Sequence, residues 1–372
     1  MKRLVVILGL LPPPVTGAAK NTALMIEEAK VAGAEVIAIP TSGGEHALQR
    51  SVRYHLRRLG HARRTLGRLR AAAHAPGEMR TLYLVPDGGR GLVYTYFYLR
   101  FSAARFAQVF LHHRTFGYID APSPWMTRII ALLGRRATHI FLSEGQRAAF
   151  ERVYGPQTAM ISTNALYVEP RRPEKVADVL TLGHLSNLCE LKGFHDVVAT
   201  FEAAVKAGLP VRLKLAGPVV ELTVQAEINR LIEQYPDLVE VFGPLGGVAK
   251  DAFYDLLDVF LFPTRWPQEA QPNVVYEAYA GGACNIAFGR GSIPEMIPAD
   301  LGLIVPVGGD FAQAALPYLE AFWRERHDPA PRNAKLHAWI AEQVTLSASQ
   351  RRTVMAAIAG DGGMTGSAPL HA

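Results

Sequence analysis

The chain has 372 residues, of which 49% are hydrophobic and 19% charged, a composition that excludes intrinsic disorder and is typical of a globular protein. At roughly 100 to 200 residues per domain, this length predicts two domains. The net charge of +6 is uneven, since residues 1–165 hold 22 Lys and Arg against 9 Asp and Glu, whereas residues 166–372 hold 17 against 24. The first half is therefore expected to attract anionic partners.

Cysteine usage and hydropathy limit the cellular context. Two cysteines, Cys189 and Cys284, are too few for a disulfide framework and lack zinc-site spacing, which favours a cytoplasmic protein. The apolar run 4–11 resembles a signal peptide, but it ends at three prolines without a small-residue cleavage site, so it is interpreted as a first strand. No segment reaches the ~18 apolar residues of a transmembrane helix, and any membrane contact is expected to be peripheral.

Two series of short apolar runs, separated by helical stretches, predict an α/β protein with two doubly wound parallel-sheet domains. The predicted strands are 4–11, 35–39, 81–85, 107–112 and 139–143, then 179–183, 211–216, 239–242, 259–262 and 284–287. The predicted division is a first domain over 1–165, an extended hinge over 166–177, a second domain over 178–345, and a C-terminal helix with a flexible tail over 346–372.

Two strand-to-helix loops have residues suited to an anion. Gly17 follows the first strand, where backbone N–H groups and a helix N-terminus can face a phosphate, although a tight turn explains it equally well. Lys192 follows the first strand of the second half and can reach a phosphate, or it is one more surface charge. Neither loop has the G-x-G-x-x-G pattern of dinucleotide-dependent dehydrogenases.

The segment 263–282 is the most informative. It places Glu269 in the loop after a strand and Glu277 inside the following helix, with Gly281 and Gly282 at its C-terminal end. Two carboxylates at the carboxyl edge of a parallel sheet can accept hydrogen bonds from sugar hydroxyls. The alternative is a helix-dipole charge and a surface glutamate.

The spacing from Glu269 to Glu277 resembles the E-x7-E motif of retaining glycosyltransferases of family 4, which have the GT-B fold of two facing Rossmann-like domains. Four other segments are similar to family motifs in the same order, at 12–17, 186–193, 215–217 and 291–295. Asn187 departs from the family, which usually has an arginine there, and Ala270-Gln271 replaces the usual Gly-Phe.

This resemblance implies a retaining, metal-independent transfer of a sugar from a nucleotide donor, with no cofactor beyond that co-substrate. Glu277 is expected to bind the ribose and Glu269 the sugar hydroxyls. The charge of the diphosphate is expected to be neutralised by Lys192, by Arg265 and by the helix N-terminus at Asn273. Asn187 and Gly17 are also expected to contact the nucleotide sugar. The absence of a D-x-D segment favours charge stabilisation by side chains rather than by a metal ion.

Histidines and arginines of the first half suggest the acceptor side. His112 and His113 end a predicted strand where the family often has a histidine facing the sugar, and His113 is the preferred candidate. Arg50 to Arg70 contains eight arginines and no acid, with leucines at helical spacing, which predicts a helix on an anionic membrane surface. A solvated basic helix is the alternative, and no zinc finger or RNP-like motif supports nucleic acid as a partner.

The function expected from these features is a glycosyltransferase that modifies a hydroxyl of a lipid-linked or polysaccharide acceptor, in the cytoplasm and peripherally on the inner face of the cell membrane. Two alternatives stay open: a nucleotide-sugar epimerase of the same architecture, and a non-catalytic module that binds a membrane.

Overall fold

The computed structural model describes residues 3–12, 17–41, 52–74, 79–171 and 178–359. The chain divides into two compact units, of which the first comprises Met1–Thr163 with Ser349–Ala372 and the second comprises Asn164–Ala348. Asn164 belongs to the second unit because its backbone N–H donates to Gln271 Oε1 at 2.6 Å and its amide donates to the Gln271 carbonyl at 2.8 Å.

The first unit is built on a parallel sheet of six strands. They are β1 (Arg3–Gly9), β2 (Glu35–Pro40), β3 (Met79–Leu84), β4 (Gln108–His112), β5 (Ala137–Phe141) and β6 (Ala159–Ile161), in the spatial order β2-β1-β3-β4-β5-β6. The connecting helices are α1 (Gly17–Val31), α2 (Val52–Ala73), α3 (Leu92–Ser102), α4 (Gly117–Asp120), α5 (Pro124–Leu133) and α6 (Glu144–Tyr154). The buried run Leu4 to Leu8 in β1 confirms that the first apolar segment is a core strand.

The second unit repeats this architecture. Its strands are β7 (Leu180–Leu185), β8 (Val211–Ala216), β9 (Val239–Val241), β10 (Val259–Phe262), β11 (Cys284–Phe288) and β12 (Gly302–Val305), ordered β12-β11-β10-β7-β8-β9 and all parallel. The helices are α7 (Phe194–Lys206), α8 (Leu222–Gln234), α9 (Gly247–Asp255), α10 (Asn273–Ala280), α11 (Ile293–Met296) and α12 (Phe311–Arg324). This is the Rossmann strand order.

The two sheets confirm the predicted fold class, and the predicted strands are found within a few residues. The sequence analysis missed β6 and β12. Both strands lie at a sheet edge, where one side has no neighbouring strand. They are only three and four residues long, and several of their side chains are half-buried, so the buried apolar run that marked the other strands is lacking.

A last helix, α13 (Ala330–Ala359), has its end in the first unit. Val354, Met355 and Ile358 pack in one apolar cluster with Val5 and Ile7 of β1. The predicted separate helix and tail over 346–372 therefore differs from the structure, because this apolar face completes the first core. The predicted tail beyond residue 360 lies outside the described residues.

The predicted hinge is only partly described. Its residue Arg171 is tied into the second unit, since its Nε lies 2.7 Å from Asp255 Oδ1 and its backbone N–H donates to Ala280. Residues 172–177 lie outside the described residues. Among the described helices, none combines the length and apolar character needed to span a membrane.

Candidate functional site

The strand order of the second sheet creates a crevice where two loops meet. β7 lies between β10 and β8, so the chain leaves β7 and β10 toward opposite sides of the sheet. In sheets of this type, ligands bind outside the carboxyl ends of the strands at this switch point. The loop after β7 contains Lys192, and the loop after β10 contains Glu269.

A close backbone approach brings these two loops together. Gly193 has φ of 78°, and a Cβ there would overlap the carbonyl oxygen of Pro263, so only glycine fits. The backbone N–H of Arg265 donates to the Leu191 carbonyl at 2.8 Å, which joins the loops a second time. The turn at Gly193 thus fixes the position of its neighbour Lys192.

Lys192 and Glu269 form a partly buried ion pair at this edge. Lys192 Nζ lies 2.6 Å from Glu269 Oε2, and the two side chains are 20% and 13% exposed. The Thr264 hydroxyl donates to the same oxygen at 3.2 Å. The ammonium also lies 5.7 Å from the ring centroids of Phe262 and Trp266. The structure therefore brings together the two charged residues that the sequence analysis placed at the reaction centre.

The segment 291–295, with the sequence Gly-Ser-Ile-Pro-Glu, packs against the backbone of the loop that contains Glu269. Gly291 has φ of 58°, and a Cβ there would lie 2.6 Å from the carbonyl oxygens of both Glu269 and Ala270. The Ser292 backbone N–H donates to the Ala270 carbonyl at 2.7 Å. A side chain at position 291 would displace the Glu269 backbone, so the segment acts by positioning.

Glu277 lies in α10 and is held by two residues that sequence reasoning missed. Lys250 Nζ lies 2.5 Å from Glu277 Oε1, and the Tyr254 hydroxyl donates to Oε2 at 3.1 Å. Burial, and next the Glu277 carboxylate, hold the pKa of Tyr254 well above its usual value, so the phenol keeps its proton and remains a donor. Lys250 and Tyr254 are in α9, and no local pattern links them to Glu277.

Three further residues, Arg265, Asn187 and Asn273, were predicted to contact the diphosphate. The Arg265 guanidinium is paired with Asp196, with Nη2 at 2.9 Å from Oδ1, and it lies 4.8 Å from the Phe288 ring centroid. Asn187 is exposed, and Asn273 is the half-buried first residue of α10. Pro272 occupies the N-cap position of that helix.

His184 is a buried residue that the sequence analysis did not single out. Its Nδ1 donates to the Leu261 carbonyl at 2.8 Å, and its Nε2 lies 2.8 Å from the Ser186 hydroxyl. Burial lowers its pKa to about 4, so the ring is neutral at pH 7. It joins β7 to β10 and fixes the start of the Lys192 loop. Its place inside an apolar strand was the available signal.

In the first unit, the structure favours His112 over His113. The predicted candidate His113 is fully buried, with Nδ1 at 2.8 Å from the Tyr118 hydroxyl and Nε2 at 2.8 Å from His139 Nδ1. Both of its nitrogens are therefore used within the core, which argues against its predicted role. His112, at the end of β4, has its Nδ1 at 2.7 Å from the Tyr83 hydroxyl.

Gly17 is the first residue of α1 rather than a residue of the preceding loop. Residues 13–16 of that loop lie outside the described residues.

The basic stretch forms the larger part of α2, and Arg50 lies outside the described residues. Arg63, Arg64 and Arg68 are exposed. The expected row of membrane-facing leucines needs correction, because Leu69 is fully buried and Leu66 is half-buried, whereas Leu59 is 50% exposed. The helical spacing of these leucines therefore reflects packing of α2 against the core as well as its outer surface.

Within the described ranges, no group of three or more His, Cys, Asp or Glu residues is arranged to hold a metal ion.

Part of the second unit is similar in sequence to a known protein family. Residues 164–321 match the model of the family described as glycosyl transferases group 1. This segment contains Lys192, Glu269 and Glu277. A capsular polysaccharide biosynthesis glycosyltransferase, CapM, from Staphylococcus aureus is 27% identical over 153 residues, which are 40% of this chain and 38% of CapM. The match thus spans well under half of that relative's length.

Solved structures match nearly the whole chain. The structure of HepE from Anabaena in complex with UDP has a TM-score of 0.66 at 16% identity, over 95% of this chain and 99% of HepE. Sucrose-phosphate synthase from Thermosynechococcus elongatus has a TM-score of 0.64 at 16% identity, over 96% and 100%. The fold is the two-domain GT-B fold, and residues 164–321 are similar in sequence to the group 1 glycosyltransferases.

Proposed function

We propose that this chain is a retaining, metal-independent glycosyltransferase of family 4 that moves a hexosyl or deoxyhexosyl group from a nucleotide-sugar donor to a hydroxyl of a lipid-linked or polysaccharide acceptor. The observation that carries the proposal is the Lys192–Glu269 pair at the switch point of the second sheet, inside the family segment. The UDP in the HepE structure and the capsular polysaccharide role of CapM support it.

Lys192 acts on the leaving group in this proposal. An arriving diphosphate has more charge than the carboxylate of Glu269 and competes for the ammonium, which lies in a partly buried position where water screens it less. The N-terminus of α10 at Asn273 adds backbone N–H groups on the same side. Arg265 can join them only by leaving Asp196, and Asn187 contributes no charge.

Once its ion pair with Lys192 has opened, Glu269 accepts hydrogen bonds from hydroxyls of the transferred sugar. The hydrogen bond from the Thr264 hydroxyl keeps the Glu269 carboxylate in its orientation. Glu277 binds the ribose hydroxyls with Lys250 as its counter-charge. Because the ion pair of Glu269 must open for the donor to bind, part of the binding energy is used to assemble the site.

In the transfer step, the bond from the sugar anomeric carbon to the diphosphate oxygen breaks, and a bond to the acceptor oxygen forms on the same face. The proton of the acceptor hydroxyl passes to a phosphate oxygen. Lys192 stabilises the charge that develops on the diphosphate, a role that needs no metal ion. Transfer that persists in excess EDTA supports this proposal, and complete loss contradicts metal independence.

The acceptor side is proposed to contact the cytoplasmic face of an anionic membrane through α2. Arg63, Arg64 and Arg68 supply exposed positive charge. An aromatic patch lies beside them, since Phe97 and Phe101 of α3 are 44% and 40% exposed and the Arg70 guanidinium lies 5.0 Å from the Phe101 ring centroid. Exposed aromatic and basic side chains together suit an interfacial contact. Nucleic acid is not proposed as a partner.

The test is a panel of nucleotide sugars incubated with the purified chain, with and without saccharide acceptors. Glycosyl transfer to an acceptor is expected, and it should be abolished in a folded Glu269→Gln variant. An epimerase would interconvert the nucleotide sugars without acceptor, and a binding module would do neither. Wild-type transfer by Glu269→Gln would remove the assigned role of this carboxylate.

A further inference from the structure

The second unit contains a cavity of about 630 Å³ between the C-terminal half of α12 and the first turns of α13. Asp300, which also lines it, precedes β12, so the cavity lies at the amino edge of the second sheet. Lys192 and Glu269 follow the carboxyl ends of their strands, at the opposite edge. Sites for small molecules have volumes of about 300–1,000 Å³. The cavity is therefore separate from the candidate transfer site and large enough for a ligand.

One wall of the cavity presents an arginine that is stacked on an aromatic ring. The Arg332 guanidinium carbon lies 3.7 Å from the centroid of the Phe322 ring, which is 8% exposed. Arg332 Nη1 is shielded from water and has no hydrogen-bond partner among the described residues. A charged N–H group in this state costs free energy, and pairing with an oxyanion removes that cost. The stacked guanidinium keeps the N–H groups in its plane for such a ligand.

A second stacked arginine shows that this lack of a partner is specific to the cavity. Arg326 lies over the neighbouring ring, with its guanidinium carbon 4.0 Å from the Trp323 centroid, and it does not line the cavity. Its Nη1 donates to the Trp323 carbonyl at 3.0 Å. Stacking on α12 therefore allows a partner within the chain, and Arg332 Nη1 has none among the described residues.

Exposed charges of both signs also line the cavity. Asp300, Glu325 and Asp328 supply carboxylates, and Arg324 and Lys335 supply cations, with Lys335 Nζ at 3.3 Å from Asp300 Oδ2. Three carboxylates disfavour a ligand with several negative charges, but each of them can accept hydrogen bonds from hydroxyl groups. A ligand with one oxyanion and several hydroxyls fits both the stacked guanidinium and these carboxylates.

We propose that this cavity is a second ligand site of the chain, which binds a sugar-sized polyhydroxyl molecule with a single oxyanion, either a phosphate ester or a carboxylate. Arg332 binds the oxyanion, and the carboxylates of Asp300, Glu325 and Asp328 accept hydrogen bonds from the hydroxyls. The site does not depend on the proposed transferase activity, because it lies at the other edge of the sheet.

The experiment is calorimetric titration of the full chain at constant ionic strength, without nucleotide sugar. The probes are glucose 6-phosphate and glucuronate, which have the oxyanion at the same end of one sugar ring, with glucose and inorganic phosphate as their component parts. We expect one of the two anionic sugars to bind more tightly than either component, and the tighter one identifies the oxyanion. Arg332→Gln should lower that affinity about 10- to 100-fold, the scale of a hydrogen bond to a charged group.

Three variants make the result specific. Arg326→Gln is the matched control, since it removes a stacked arginine outside the cavity, and it should keep the wild-type affinity. Lys192→Met should also keep it, because Lys192 belongs to the other edge of the sheet. Arg332→Met retains an apolar stem over Phe322 and should weaken binding as Arg332→Gln does, so a folding defect of one variant does not prevent the test.

The proposal is overturned if neither anionic sugar binds more tightly than glucose and phosphate. Equal affinities in the folded Arg332 and Arg326 variants also overturn it, and loss of binding in Lys192→Met would assign the ligand to the transfer site instead. Since no nucleotide sugar is present, absence of glycosyl transfer leaves these titrations unaffected, and the two proposals fail separately.

Discussion

Replacing Lys192 by methionine tests the ion pair at the centre of the site. Methionine keeps an unbranched apolar stem of similar length and its packing near Phe262 and Trp266, but it removes the charge. The Glu269 carboxylate, which is 13% exposed, then loses its ion pair with Lys192 and keeps its hydrogen bond from the Thr264 hydroxyl. Leaving a mostly buried carboxylate without its cation costs about 1–3 kcal/mol.

For a domain of this size, a loss of about 2 kcal/mol lowers Tm by roughly 4–8 °C, which differential scanning calorimetry can measure. The effect on transfer should be larger in relative terms. One lost electrostatic donor to the leaving group raises the barrier by about 2–4 kcal/mol, a decrease in kcat of ~30- to 1000-fold. The variant should therefore be folded but nearly inactive.

Lys214→Met provides the matched control in the same unit. Lys214 is 17% exposed, is paired with Glu240 and lies 5.3 Å from the Phe242 ring centroid, so its surroundings resemble those of Lys192. Its partner Glu240 is 57% exposed and returns to water when the pair is lost. We expect Lys214→Met to keep full turnover. Full turnover in a folded Lys192→Met protein would refute the role of Lys192.

Three further predictions concern other parts of the chain. Glu277→Gln should weaken UDP binding about 10- to 100-fold in calorimetry, the scale of a charged hydrogen bond, and unchanged affinity would contradict the ribose role. The pKa of His184 is 6.5 in the unfolded chain and about 4 in the folded protein. The unfolded state therefore binds more protons between these pH values, and the free energy of unfolding decreases by up to ~3 kcal/mol as the pH falls from about 6.5 to 4. Denaturant unfolding at about pH 7 and pH 5 should therefore show a smaller pH-dependent loss in His184→Gln, and an equal loss would refute the assignment. Replacing Arg63 and Arg64 by serine should lower the affinity for anionic vesicles ~30-fold, at about 1 kcal/mol per arginine, whereas serine at the exposed Arg135 and Arg136 should have little effect; equal sedimentation of both variants would leave α2 as a solvated helix.

The fold class could be predicted from sequence because it depends on local patterns. Buried parallel strands require continuous apolar runs, and these runs located ten of the twelve strands found in the described part of the chain. The motif glycines could also be recognised, since Gly193 and Gly291 have positive φ and lie against neighbouring backbone, which restricts both positions to glycine. The fold class and the backbone turns at Gly193 and Gly291 could therefore be inferred from the sequence itself.

Only the tertiary structure decided which side chains meet. Lys192 and Glu269 are 77 residues apart in the chain, and Lys250 and Glu277 are 27 apart, so their pairing depends on the strand order that brings β7 beside β10 and on the packing of α9 against α10. The choice between His112 and His113 also required three dimensions. Adjacent residues at a strand end point in opposite directions, and their partners, Tyr83 for one and Tyr118 with His139 for the other, come from other elements of the chain.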